Sequence, residues 1–308
     1  MSLKCEELSI FTEISSVLHL PTRNLQQLTI QSWGTKLTIG AANSSVNMPR
    51  LWFLNLSAVS RLELLSEGFS KYPNLTDIDI TGCGLEQLLD SHFAIDSMAY
   101  FNHNGLSHLE LPHMPNLRYL DLRDNKLTDF NLNNCPRLEH LDLNGNQLTE
   151  ITPPAEGFKS STKKQFPLRL LDLALNKISV LRENHFELLG ELEILDLSDN
   201  KFTTLKSAHL SGLTSLRHLS LESNYNMELK GHIFEALEQL ETLDLSYIGL
   251  KNLDPHLFGY KPVNKQGLYE HLQMAHMRQL ILEGNKLQHL DPRVFEKLSF
   301  FGYTLPRP

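Results

Sequence analysis

The sequence predicts an α/β solenoid, curved into a horseshoe. About twelve short parallel strands line its concave face, with loops and short helical turns on the convex face. Three observations carry that expectation. The phrase L-x-x-L-x-L-x-x-N-x-L recurs at 24-residue intervals, as Leu168, Leu171, Leu173, Asn176 and Ile178, then Leu192, Leu195, Leu197, Asn200 and Phe202, then Leu216, Leu219, Leu221 and Asn224. Ten residues after each ninth position stands a large apolar residue: Phe186, Leu210, Phe234 and Phe258. The ninth position also persists where the interval shortens to 21 residues, through Cys83, Asn104, Asn125 and Asn146.

Leucines at positions 1, 4 and 6 make a short strand whose inward side chains stack on the neighbouring repeat. One repeat alone cannot bury that face, so stacking is obligatory. The position-9 amide has donors and an acceptor to satisfy adjacent bends inside the core, which predicts a structural ladder of Asn104, Asn125, Asn146, Asn176, Asn200, Asn224 and Asn285. The residue ten further on fills the core from the convex wall.

Taken in order, Cys5, Leu8 and Ile10 fit a first strand, with Glu13 at position 9. Leu25, Leu28 and Ile30 fit a second, with Trp33 there. Leu51, Leu54 and Leu56 follow, with Val59 and the anchor Phe69, then Leu75, Ile78 and Ile80, with Cys83 and Phe93. The copy before Asn104 is the weakest, since Asp96 and Ala99 replace its leucines. Leu117, Leu120, Leu122 and Leu138, Leu141, Leu143 restore the phrase. After the central block, Leu240, Leu243 and Leu245 carry Ile248 in place of asparagine, and Met277, Leu280, Leu282 and Leu287 close the array with Phe295 as anchor. Insertions at 152–167 and 259–276 read as surface excursions. An uninterrupted repeat offers no boundary, so a single domain over 1–308 is expected.

This phrase resembles the leucine-rich repeat family. Its spacing and aromatic anchors are similar to the typical 24-residue subclass of animal extracellular proteins, such as Toll-like receptor ectodomains and related adhesion proteins. The resemblance implies a surface that binds a protein or peptide ligand, without catalysis or cofactor. Secreted members usually close their ends with disulfide-bonded caps. None is visible here, so the resemblance implies a chain lacking one or both caps that could self-associate through its ends.

Positions 2, 3, 5, 7 and 8 point away from the core. In the N-terminal half they supply Trp52, Phe53, Tyr100, His103, Arg118, Tyr119, Asp121 and Arg123 as candidate ligand contacts, a composition typical of interface hot spots. Further along come Asp142, Glu193, Asp199 and Glu222, opposed by Arg169, Arg217 and Arg278. That bias favours a basic partner, although aspartate at position 5 also fits a purely scaffold role.

Other classes find little support. The net charge of −8 and pI near 6.0 disfavour nucleic acid and anionic membrane, and no apolar run approaches a membrane span. There is no phosphate loop, nucleophile elbow or zinc-type Cys/His spacing, so no metal site is expected. His92, His185, His209, His232 and His256 precede the convex anchors, which makes them a repeat position. Cys5, Cys83 and Cys135 read as free core thiols, the first two too far apart in the array to bridge. Asn43, Asn55 and Asn74 begin possible N-glycosylation sequons. The reading is therefore an extracellular or cell-surface recognition domain, with an intracellular scaffold or regulatory subunit in the cytoplasm as the alternative.

Overall fold

The computed structural model describes residues 2–6, 22–31, 36–39, 48–57, 59–64, 69, 72–88, 97–111, 113–152, 165–258, 260–262, 269–271 and 276–297. Two compact units divide the chain, Met1–Gln147 and Leu148–Pro308. Each stacks repeats as a solenoid built on a parallel sheet.

In the first unit the strands are Ser2–Glu6, Gln27–Gln31, Phe53–Asn55, Asp77–Asp79, Met98–Tyr100, Tyr119–Asp121 and His140–Asp142, each pairing in parallel with the next. The second unit orders Leu170–Asp172, Ile194–Asp196, His218–Ser220, Thr242–Asp244 and Gln279–Ile281 in the same way. Position 4 faces position 4 throughout, as in Leu171 against Leu195 and Leu195 against Leu219. The leucines at positions 1, 4 and 6 are buried in every one of these copies of the second unit except the last, where Leu280 and Leu282 are half-buried. A buried leucine contributes roughly 1.5–3 kcal/mol, so the inward row dominates the energetics of each unit.

The first strand departs from expectation. Leu3 pairs with Leu28 and Cys5 with Ile30, so positions 4 and 6 belong to Leu3 and Cys5 rather than to Leu8 and Ile10. Apolar residues two apart occur at both places, and the sequence pattern cannot choose between them. Residues 7–10, Glu13, Trp33 and Phe93 lie outside the described residues.

On the wall opposite the strands, short 3-10 turns such as Leu132–Asn134, Ser207–His209 and Pro255–Phe258 replace regular helix. Phe69, Phe186, Leu210, Phe234 and Phe258 are buried there, and the Phe234 and Phe258 rings stack 5.8 Å apart. The insertion at 152–167 returns to the core at its end, with Phe166 buried and its N–H bonded to the Leu188 carbonyl. The insertion at 259–276 contains an antiparallel pair, Tyr260–Pro262 with Tyr269–His271.

The asparagine ladder forms at all seven positions. Asn125 shows the pattern: its Oδ1 accepts the Leu106 N–H at 3.0 Å, while Nδ2 donates to the carbonyls of Phe101, Leu122 and Arg123. Asn104, Asn146, Asn176, Asn200, Asn224 and Asn285 likewise accept from the preceding repeat and donate to the carbonyls of their own bend. Cys83 keeps half of this chemistry. Its thiol donates to the Leu56 carbonyl at 3.1 Å, with Thr81 O at 3.6 Å. Burial pushes the thiol up to about 12, so it stays protonated and able to donate. Cys83 and Cys135 are both free and buried.

Candidate recognition surface

Because strand side chains alternate, positions 3 and 5 face outward, and position 2 lies just before them. The structure brings Tyr100, Tyr119 and His140 together on the first unit's outward face, with ring centroids 5.0 Å apart for the tyrosines and 5.9 Å from Tyr119 to His140. Trp52 and Phe53 form a second group, 5.8 Å apart. The Asp77–Asp79 strand separates the two, since Phe53 and Met98 both pair with Asp77. Partial burial, then the carboxylates of Asp77, Asp79, Asp121 and Asp142, raise the Tyr100 and Tyr119 hydroxyls above their usual range. Both therefore remain neutral donors at pH 7.

Asp121 is not a surface contact. It is fully buried: Oδ1 accepts the Arg123 N–H, and the Arg123 guanidinium lies 2.9 Å from Oδ2 as a Coulombic partner without hydrogen-bond alignment. Burial raises its carboxyl, with Arg123 pulling the other way. Asp142 has the related role on the next strand, accepting the Asn144 N–H at 3.0 Å. Asp79, Asp172, Asp196 and Asp244 cap the residue two further along in the same manner. Position-5 aspartate is thus the acceptor that ends each strand, the scaffold role weighed above.

Position 2 carries an ion-pair ladder. Arg118 pairs with Glu139, Arg169 with Glu193 at 2.8 Å, and Glu241 with both Arg217 and Arg278. Glu193 is therefore neutralised by the strand beside it. Hydrogen bonds and charge from Arg217, with Arg278, hold Glu241 below the usual carboxylate range.

Position 8 shares one backbone conformation. His103, Asp124, Leu175, Asp199, Ser223 and Tyr247 have φ between 49° and 55°, matching Gly82, Gly145 and Gly284. Left-handed backbone turns each N–H toward the position-7 carbonyl of the next repeat, as in His103 to Arg123, Leu175 to Ser198 and Tyr247 to Glu283. For a side chain such as leucine or tyrosine this costs about 1–2 kcal/mol. Leu175 and Tyr247 are nonetheless exposed. Gly284 has a further reason to be glycine, because the Tyr247 ring lies where a Cβ would stand.

Of the sequence-predicted contacts, Trp52, His103, Arg118, Arg123 and Asp199 are exposed, and Phe53, Tyr100, Tyr119, Asp142, Glu193 and Glu222 half-buried. His103 contacts Asp124 at 3.2 Å. His140, Glu139, Tyr225 and Tyr247 were not anticipated, although extending positions 2 and 3 by one repeat finds the first two. Among the sequons, Asn55 is committed, with Nδ2 donating to Asp79 and Oδ1 accepting from Ser57. Asn74 is exposed with its amide toward the Pro49 carbonyl, and Asn43 lies outside the described residues. Among the described residues no three His, Cys, Asp or Glu side chains are grouped to hold a metal, and no helix is long and apolar enough to cross a membrane.

Family models described as leucine rich repeat and as leucine rich repeats in two copies match residues 167–225 and 115–156. No curated protein matches at the sequence level. Among solved structures, the chain is similar to the functional domain of InlJ from Listeria monocytogenes, with a TM-score of 0.65 and 21% identity over 96% of this chain and 56% of that one. A TLR13 complex with single-stranded RNA gives 0.60 and 23% over 90% and 42%. The leucine-rich repeat protein LIC12759 of Leptospira interrogans gives 0.51 and 19% over 90% and 77%. The chain thus spans just over half of the InlJ chain and about two fifths of the TLR13 chain.

Proposed function

From the premise that the chain is a leucine-rich repeat protein, we propose that it is a non-catalytic recognition domain whose first unit binds a protein or peptide ligand on the outward strand face. The carrying observation is the Tyr100, Tyr119 and His140 stack, flanked by Arg118 and Arg123. Rigid rings that offer area and neutral hydroxyl donors beside arginine are the chemistry of protein interfaces. The similar TLR13 structure holds RNA, but a net charge of −8 gives this chain no electrostatic basis for phosphate binding. Its place is extracellular or at the cell surface, consistent with the exposed Asn74 sequon. The free, buried Cys83 and Cys135 favour the second reading, an intracellular scaffold. That 1–308 behaves as one domain belongs to the same proposal, and a single calorimetric transition is its expected signature.

The test is affinity capture from source tissue with wild type and with Tyr100→Ala plus Tyr119→Ala, followed by titration calorimetry with each purified partner. Loss of a cell-surface or secreted partner in the variant supports the recognition domain. Capture of cytoplasmic proteins equally by both forms supports the scaffold and removes the aromatic face from the ligand site.

A further inference from the structure

On the outward face of the first unit one acidic strand separates the Trp52 and Phe53 pair from Met98 and Tyr100. Resting on the reading that this face binds a protein, we propose that the Asp77–Asp79 strand takes an arginine side chain of that partner, held between those two groups. Asp77 stands at position 3 between Phe53 and Met98, and Asp79 at position 5 between Asn55 and Tyr100. Strands about 4.8 Å apart set each carboxylate one step from an aromatic side chain. A cation bonded to either carboxylate is then within the roughly 6 Å reach of a ring face.

The fold does not require Asp77. Position-5 aspartates cap the residue two further along, as Asp79 does for Thr81, but no other position 3 among the described strands of either unit carries a carboxylate. In the first unit that row places Phe53, Met98, Tyr119 and His140 around it. Asp77 Oδ2 accepts the Thr76 hydroxyl at 2.9 Å. Among the described residues no donor reaches Asp77 Oδ1, and no cation pairs with Asp77 or Asp79. Neighbouring outward acids are matched, Glu139 by Arg118 and both Asp121 and Asp142 by Arg123. Half-buried carboxylates without a cation carry a desolvation cost that a bound cation relieves. Burial, then Asp77, Asp121 and Asp79, raise the Tyr100 hydroxyl, and no cation opposes them as Arg123 does at Tyr119. The charge this strand lacks is positive, and the partner supplies it. Arginine fits better than lysine. Its planar fork of donors can bond a carboxylate while its face lies against Phe53 or Tyr100, whereas an ammonium offers no such plane. Trp52 at 38% exposure and Met98 at 41% leave area on either side for the rest of the partner.

The test uses the whole chain with carbon-13 methionine methyl groups and NMR titration against acetyl-arginine methylamide. Controls are its citrulline counterpart, which keeps the shape without the charge, and its lysine counterpart. The arginine probe should shift the Met98 methyl resonance saturably and bind about tenfold more tightly than citrulline, and more tightly than lysine. Asp77→Asn should weaken it about tenfold and Tyr100→Ala about threefold. The asparagine can still accept from Thr76, so that variant retains the fold. Glu238→Gln, the same loss of charge in the second unit, should change nothing. Equal binding of citrulline or lysine, unchanged affinity in Asp77→Asn, or an equal loss in Glu238→Gln overturns the inference. The protein partner that Tyr100→Ala plus Tyr119→Ala loses should, once purified, bind Asp77→Asn about tenfold more weakly. Unchanged affinity there overturns the arginine and leaves the recognition face standing. A partner held equally by wild type and the tyrosine variant removes the face itself, which is a different failure.

Discussion

At position 3 the first unit presents Met98, Tyr119 and His140, whereas the second presents Ile194, His218 and Thr242; at positions 7 and 8 the first has His103, Arg123 and Asp124, the second Asp199, Glu222 and Glu283. Beneath both lie an inward apolar row and an asparagine ladder, buried except at Asn104 in the first unit and at Leu280, Leu282 and Asn285 in the second, which are half-buried. One unit offers stacked rings beside arginine, the other an acid-rich edge with isolated apolar side chains. Since the core is common to both, the difference comes only from positions that the core leaves free, and chemistry here can be exchanged with little effect on folding.

That separation predicts that stability and binding respond to different substitutions. The largest effect should come from the shared ladder: Asn200→Ala strands the Ile178 N–H and the Leu173, Leu197 and Ser198 carbonyls, costing about 4 kcal/mol by urea denaturation. Cys83→Ala, which removes one weak donor, should cost about 1 kcal/mol by the same measurement. A cost for Cys83→Ala equal to that of Asn200→Ala would show that the thiol holds its bend as firmly as an amide.

Next is Gly212→Ala. A Cβ there would meet the Glu187 Cα at 2.5 Å and the Phe186 carbonyl at 2.6 Å, on a residue with φ of 94°. A loss of about 3 kcal/mol is expected, with ligand affinity of the first unit unchanged. Tyr119→Ala should do the reverse, weakening the partner about thirtyfold, roughly 2 kcal/mol, while moving the melting temperature little.

A pH dependence of the second unit gives a further effect, smaller than loss of a ladder asparagine. His185 is buried edge-on against Phe186, and neither ring nitrogen has a partner. Burial first, then Arg182 and His209, lower it to about 4, while Glu150 opposes them. His209 is also lowered, by burial and Lys206. With a folded value below the unfolded one of 6.5, the stability this neutral histidine contributes is complete above pH 6.5. It drains away as pH falls toward 4. From pH 7 to 5 the loss should be about 1–2 kcal/mol, read as faster hydrogen exchange across 181–213 than across 117–148. His185→Phe should reduce that contrast to the part His209 contributes.

Much of this was legible in the sequence. The inward row, the ladder and the convex anchors follow from spacing, because burial at a fixed period leaves a fixed pattern. Spacing also implied aromatics at Tyr100 and Tyr119. It misplaced the first strand, where two apolar pairs compete, and it exposed Asp121, which is fully buried with the Arg123 guanidinium 2.9 Å from its Oδ2. It also set Arg169 against the acidic row as a whole, whereas Arg169 pairs specifically with Glu193 one strand away. Rotamers and cross-strand pairs are settled by three-dimensional neighbours, which a periodic reading does not rank.

Each position-9 amide also has a direction. Asn125 serves Leu106 and Phe101, Asn224 serves Phe202 and Leu197, and Asn285 serves Leu250 and Leu245, in every case groups of the repeat before it. A repeat leaving the ribosome therefore waits for its successor before its bend is sealed, so each unit matures from the N-terminal side with its newest turn always unsealed. Wear runs the opposite way: a cut that removes one repeat unseals the turn preceding it and leaves the turn following it intact.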